Sequence, residues 1–536
     1  MRQSGVLCPV FSLPSPYGIG SFSKEAYEFV DFLADAGQAI WQILPLGPTS
    51  YGDSPYQSVS SFAGNPYFIS LDDVSEMGLL KKEDYADLNF GDEKDQIDYG
   101  KLYELRFDIL RKAYEQFKVA LAEKCLVNYH EKELDLKKDY ELFVKYNESW
   151  LTDYTRYMAI KGSQEQKAWT DWDKELMSAK SKAVDEKAAE LEDEIGFFAF
   201  QQYLFNLQYM ELKEYANEKG VKIMGDIPFY AAADSADIWA DPEAFKLDKN
   251  FKPTVVAGCP PDAFSEDGQL WGNPVYDWKA LKKDHYRWWI RRIKRCFELY
   301  DIVRIDHFRG FSEYYEIPAD AENAKEGEWV EGPRMDLFKA INKELGNKAD
   351  IVAEDLGIIT DEVRELLKET TYPGMKILHF AISGEKDNAY LPYNCIKNSV
   401  IYTGTHDNET TVGWLQNLNE WQINYVRKYA NSPYSSYEGL TWDLIRVLMG
   451  SVSDTCIIPI QDYLVKGNKA RINFPGTFGS NWQWRLLPNE ISKELTKSIL
   501  EITQVYGREM ELPEEDETEA AENAEAADAV KDTKAK

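Results

Sequence analysis

Val303-Arg304-Ile305-Asp306-His307 is a short apolar run that stops on an acid, and Val352-Ala353-Glu354-Asp355-Leu356-Gly357 repeats the pattern. Thr403-Gly404-Thr405-His406-Asp407-Asn408 is a third ending of this kind. A brief apolar run bounded by polar residues is how a strand buried on both faces reads. An acid at its close sits at the carboxyl end of a parallel strand, and in a (β/α)8 barrel that rim carries the chemistry. Several carboxylates meeting there are the equipment for cleaving or moving a glycosidic bond.

Similar runs recur outward from these, at 39–46, 66–71, 223–227, 302–305, 351–353, 375–380, 400–403 and 455–460. Residues 194–217 set Phe197, Phe200, Leu204, Leu207 and Tyr215 roughly on one helical face, with Gly220 as a helix-ending glycine before the next strand. Strands alternating with helices imply parallel βαβ units. Eight runs predict the α/β class and a closed (β/α)8 TIM barrel, with helical insertions between barrel elements and no separate C-terminal β-sandwich.

The gap between the second and third runs is too long for one crossover. The lysine- and glutamate-rich stretch 73–195 is expected to be an inserted helical subdomain, with Trp150, Trp169 and Trp172 as packing anchors. It divides the barrel's start at 1–72 from its remainder at 196–510, within which 258–276 is a Gly/Pro-punctuated loop. Residues 511–536, rich in Glu, Asp and Ala, read as a disordered acidic tail.

Composition narrows the partners. Among 536 residues 14% are aromatic, with 15 Trp and 33 Tyr, enough for a large core and an aromatic surface for a flat, weakly polar ligand. A net charge of −31 argues against nucleic acid, whose phosphates would be repelled, and against anionic membranes and phosphorylated substrates. A neutral sugar is indifferent to it. The six cysteines are scattered without C-x-x-C spacing, so reduced thiols and a cytoplasmic location are expected rather than a disulfide framework or zinc site. No secretory signal or bilayer-length apolar stretch is visible, and nothing sets an oligomeric state.

Each acid alone has a structural explanation. Asp306 would pair with Arg304 or Arg309, and Asp407 would cap a helix starting near Glu409. Together with Asp226, in Gly225-Asp226-Ile227-Pro228, they end different strands and converge on one cavity. Gathering like charges costs free energy that function must explain. His307 and His406 lack H-E-x-x-H spacing, so no metal is expected.

At these residues the chain resembles the 4-α-glucanotransferases called amylomaltases or disproportionating enzymes, a branch of the α-amylase clan. The resemblance runs from the amino terminus to about residue 485. It rests on Ser12-Leu13-Pro14-Ser15-Pro16-Tyr17-Gly18-Ile19-Gly20, on Trp41-Gln42-Ile43-Leu44-Pro45-Leu46-Gly47-Pro48-Thr49, and on Tyr51-Gly52-Asp53-Ser54-Pro55-Tyr56-Gln57. The stretch Pro260-Pro261-Asp262-Ala263-Phe264-Ser265-Glu266-Asp267-Gly268-Gln269-Leu270-Trp271-Gly272-Asn273-Pro274 is similar to the family's active-site loop.

The resemblance implies Asp306 as nucleophile, Glu354 as general acid/base and Asp407 as transition-state stabiliser. Arg304, on the strand face of Asp306, is placed to keep that acid ionised. Asp355 is a like charge beside Glu354 that would raise its pKa, although neighbouring strand residues point to opposite faces. Asp226, Arg304 and His406 join the expected substrate-binding set. His307 is expected to make only a structural hydrogen bond. Trp271, in a Gly/Pro-punctuated loop, and Tyr56 would offer flat faces to glucose rings, with Ser54, Gln269 and Asn473 supplying hydrogen bonds. The implied substrates are maltooligosaccharides and glucose, and no cofactor is needed because one glycosidic bond replaces another. An α-amylase-like hydrolase with the same acids and a non-catalytic glucan-binding barrel are the competing readings.

Overall fold

The computed structural model describes residues 2–510 apart from 51, 124–125, 262–265, 347–348, 358 and 478. The acidic tail and part of the 258–276 loop thus lie outside the described residues. Eight parallel strands close a barrel in chain order: β1 (Gln3–Leu7), β2 (Ile40–Gln42), β3 (Lys222–Ile227), β4 (Ile302–Ile305), β5 (Ile351–Ala353), β6 (Gly374–Ile377), β7 (Ser399–Tyr402) and β8 (Thr455–Pro459). The ring shuts where β8 pairs with β1, Gln3 opposite Thr455 and Leu7 opposite Pro459. Arg508, fully buried, clamps this seam by donating to the carbonyls of Gln3, Met449, Ser451, Ser453 and Asp454.

One expected strand is corrected. The run at 66–71 forms a 3-10 turn, Pro66–Phe68, and the start of a short helix, Leu71–Glu76. Its apolar side chains are buried beneath the long helix Glu192–Glu218, whose Gln208 accepts from the Ser70 N–H and donates to the Ser70 carbonyl. The eighth barrel strand is instead β1, whose Ser4 and Gly5 break up the apolar run that would have revealed it. Gly5 is required there because a Cβ would lie 2.6 Å from the Ile40 carbonyl oxygen on β2.

Side chains alternate along each strand. Leu7, Ile40, Met224, Ile302, Val352 and Val400 belong to the cluster inside the barrel. Val303, Ile305, Ile351, Ala353 and Ile401 belong to the core between strands and helices. The same parity carries Asp226, Arg304 and Glu354, each two residues beyond an interior apolar residue, onto the inward face at the C-terminal rim.

The covering helices include Lys24–Asp35, Arg287–Leu299, Met335–Leu345, Asp361–Thr370, Tyr437–Met449 and Lys493–Val505. Arg287–Leu299 shows why such segments form: Trp289, Ile293 and Cys296 fall on one buried stripe. Glu192–Glu218 ends as Gly220 turns at φ +79°, and Val221 reaches back to the Ala216 carbonyl. The step from β6 to β7 carries two 3-10 turns, Leu378–Phe380 and Pro392–Asn394, in place of a helix.

Between β2 and Glu192–Glu218 the chain forms the helices Tyr99–Glu123, Leu136–Ser163 and Lys182–Glu190, with a hairpin of Leu126–Tyr129 and Lys132–Asp135. Trp150, Trp169 and Trp172 are buried there. A four-stranded antiparallel sheet, ordered Glu328–Glu331, Glu313–Pro318, Val255–Cys259 and Gln269–Pro274, is inserted after β3 and β4. Among the described residues no helix is long and apolar enough to cross a membrane.

Candidate active site

Arg304 is the hub. Its Nη1 donates to Asp226 Oδ2 at 2.5 Å and its Nη2 to Asp306 Oδ1 at 3.0 Å. The guanidinium is buried, which works against its charge, yet Asp226 and Asp306 hold its pKa well above the ordinary arginine value. Burial and the nearby Asp306 charge push Asp226 upward, opposed by Arg304. A planar fork is suited to two carboxylates in this way.

Tyr56 closes the far side of Asp226. Its hydroxyl donates to Asp226 Oδ2 at 2.9 Å, leaving the oxygen to accept from His406 Nε2, also at 2.9 Å. Burial first, and then the Asp226, Asp306 and Asp407 charges, keep this phenol protonated. His406 Nε2 lies 3.4 Å from Asp407 Oδ2, and Asn473 Nδ2 donates to Asp407 Oδ1 at 2.7 Å. Arg471 donates to the Asp407 carbonyl at 2.8 Å. A continuous polar chain therefore runs from Asp306 through Arg304, Asp226, Tyr56 and His406 to Asp407 and Asn473.

Glu354 faces this chain from the next strand. Its Oε2 accepts from the His307 N–H and its Oε1 from the Leu356 N–H, both at 2.7 Å. Its pKa is raised to about 8 by burial and by the Asp306 charge, against the pull of Arg304 and the two N–H groups. The like charge responsible is not that of Asp355, which turns away: Asp355 Oδ1 accepts from the Met375 N–H at 2.6 Å, and Lys376 lies 3.4 Å from Oδ2. One carboxyl group that keeps its proton beside another paired with an arginine is the division of labour that retaining sugar transfer requires.

His307 was expected to make only a structural hydrogen bond. Its backbone N–H donates to Glu354, from a left-handed conformation at φ +50°. Burial draws the ring down to about 4, and among the described residues its Nε2 has no hydrogen-bond partner. Trp271 meets this ring edge-on at 5.1 Å and donates from Nε1 to Gln269 Oε1 at 3.0 Å. Ser54 accepts from the Tyr56 N–H at 3.3 Å.

Three contributors carried no signal in the sequence reading. Trp482 lies 5.9 Å from Tyr56 and 6.0 Å from His406, ring to ring, but sits in no quoted motif. Asp462, buried beyond β8, accepts from Thr403 Oγ1, Thr411 Oγ1 and the Thr411 N–H, and so fixes both ends of the segment bearing His406 and Asp407. His379 stacks on Trp414 at 4.5 Å and contacts Thr411 Oγ1 at 3.1 Å. Because the Thr411 hydroxyl donates to Asp462, its oxygen accepts from His379 Nε2.

Residues 8–490 match a family model described as 4-alpha-glucanotransferase. A protein of that name from Clostridium butyricum is 46% identical over 508 residues, covering 93% of this chain and 99% of the relative. Another from Streptococcus pneumoniae is 47% identical over 509 residues, 95% of this chain and 97% of its own. The solved amylomaltase from Streptococcus agalactiae in complex with acarbose superposes with a TM-score of 0.90 at 41% identity, covering 95% of this chain and 100% of that one.

Proposed function

The chain belongs to the 4-alpha-glucanotransferase family and carries that activity, and from this premise we propose which of its residues perform the transfer. Asp306 attacks the anomeric carbon of an α-1,4-linked maltodextrin donor while Glu354 gives its proton to the departing glucan oxygen. A covalent glucosyl ester on Asp306 forms. Glu354, now ionised, takes the proton from the 4-hydroxyl of an incoming glucose or maltodextrin, and that oxygen displaces Asp306. The configuration at the carbon is inverted twice and so retained.

Asp407, oriented by Asn473 and His406, is assigned the hydroxyls of the reacting ring, which it binds more tightly as the ring flattens. Asp226 and Tyr56 hold Arg304 in register behind the nucleophile. Trp271 and Gln269 are assigned the acceptor. Holding a sugar hydroxyl in line supplies effective molarities of ~10⁵ M or more, which lets transfer outrun attack by water.

The observation that carries the reading is the contrast between Glu354, raised to about 8, and Asp306, salt-bridged to Arg304 at 3.0 Å. The test is incubation with maltotriose. Glucose plus longer oligomers at a constant total of reducing ends is the expected result. A steady rise in reducing ends would mean hydrolysis, and no product at all would mean a binding protein.

A further inference from the structure

We propose that the helix Glu420–Tyr429 and the loop facing it form a second glucan-binding surface outside the catalytic cleft, which holds the body of a long α-1,4-glucan while one end is processed. Trp421, Tyr425 and Tyr429 recur every fourth residue and share one helix face. Trp421 and Tyr425 stack at 5.5 Å and 27°, and Tyr425 and Tyr429 at 6.2 Å and 19°. Tyr393, from the loop, extends the row at 6.3 Å from Tyr429.

Touching parallel rings have planes roughly 3.5–4 Å apart, so these centroid separations mean that each ring is displaced sideways past the next. Faces are thereby left open. Trp421 is 53% and Tyr393 59% exposed. Tyr425 and Tyr429 are half-buried against the core, so it is the open faces of Trp421 and Tyr393, at the two ends of the row, that point to a binding role. Asn424 and Lys428, both exposed, flank the row and offer donors at its edge.

Three observations select a glucan as occupant. The loop under the row springs from the catalytic rim, since it begins at His379 and Phe380 just past β6 and passes through Tyr390. Tyr390 meets Phe380 edge-on at 5.5 Å, and Lys376, 5.8 Å from the Tyr390 ring, lies 3.4 Å from Asp355 Oδ2 beside Glu354. The row is thus continuous with the lip of the cleft on the side of the acid/base. A chain with 92 acidic and 61 basic residues disfavours anionic partners but not a neutral polymer. Rings with an apolar face and a polar edge match the C–H face and hydroxyl rim of glucose, and this polymer is already the substrate. The inference rests on the transferase reading for that last step.

The double variant Trp421→Ala/Tyr425→Ala tests it in the full chain. Retention in native gels containing glycogen is expected to be lost, and KM for long amylose to rise about 5–10-fold, the scale of two lost aromatic contacts. Transfer from maltotriose, too short to reach the row, stays at the parent's rate, and Trp421→Phe/Tyr425→Phe restores retention. Unchanged retention and amylose KM would overturn the proposal. So would a shift in gel-filtration volume with retention intact, because the row would then be a contact between copies. Maltotriose transfer by the unaltered protein tests the transferase reading separately, so the two failures are distinguishable.

Discussion

The rings of Tyr56 and His406 lie nearly parallel, 5.2 Å apart at 19°, with the phenol oxygen 2.9 Å from Nε2. Since the single hydroxyl hydrogen of Tyr56 goes to Asp226, His406 carries its hydrogen on Nε2 and donates it. Tyr56→Phe removes the joint between the two halves of the site. A charge-assisted hydrogen bond is lost, so kcat is expected to fall about 10–100-fold while the melting temperature stays close to the parent's. Steady-state kinetics on maltotriose with a thermal melt checks both.

Asp306→Asn is expected to abolish transfer without unfolding the protein. Glu354→Gln lowers the rate by about 10²–10⁴-fold, the range for loss of a general acid. Near-parent turnover by Asp306→Asn, measured as glucose release from maltotriose, would remove it as the nucleophile.

Glu354 also sets a pH limit. With its carboxyl raised to about 8, kcat/KM should fall about tenfold per pH unit above that value as the acid loses its proton. Stability moves in the same direction. The folded pKa exceeds the unfolded value, so the contribution of Glu354 is whole below the ordinary carboxylate range and is lost as pH climbs toward 8. The melting temperature of Glu354→Gln relative to the parent should therefore be higher at about pH 8.5 than at about pH 5.

Arg304→Lys keeps a charge but loses the fork. A single ammonium serves Asp226 or Asp306, not both, and activity should drop about 100-fold. Arg304→Met leaves Asp226 buried without its cation, which costs about 3–5 kcal/mol in urea unfolding. An unchanged unfolding midpoint would mean that Asp226 finds another partner.

Trp271→Ala opens the acceptor side. Water then competes with the sugar hydroxyl, and the ratio of hydrolysis to transfer should rise about tenfold, read from reducing ends per glucose released. An unchanged ratio would assign acceptor positioning to other residues.

The barrel was legible wherever strands are buried on both faces, as in β4, β5 and β7, because burial from two sides leaves an uninterrupted apolar run. β1 escaped because close approach to β2 demands Gly5, and Ser4 is buried beside it with no apolar side chain to mark it. The run at 66–71 misled for the opposite reason: Gln208 supplies the main-chain hydrogen bonds that a neighbouring strand would have given. The site acids were legible from where their runs stop. What holds them was not, because Trp482 and Asp462 act through contacts across the fold that no local spacing encodes.

The clamp made by Arg508 has a bearing on how the molecule is born. β1 leaves the ribosome before the other barrel strands but must wait for Thr455, whose hydroxyl its own Gln3 meets across 452 positions. At ~5–20 residues per second that is a delay of roughly 20–90 s, during which the nascent sheet keeps unpaired borders open to other polypeptides. The synthesis of β8 therefore governs whether the ring shuts or the chain is captured, and chaperone dependence should concentrate in the interval before it.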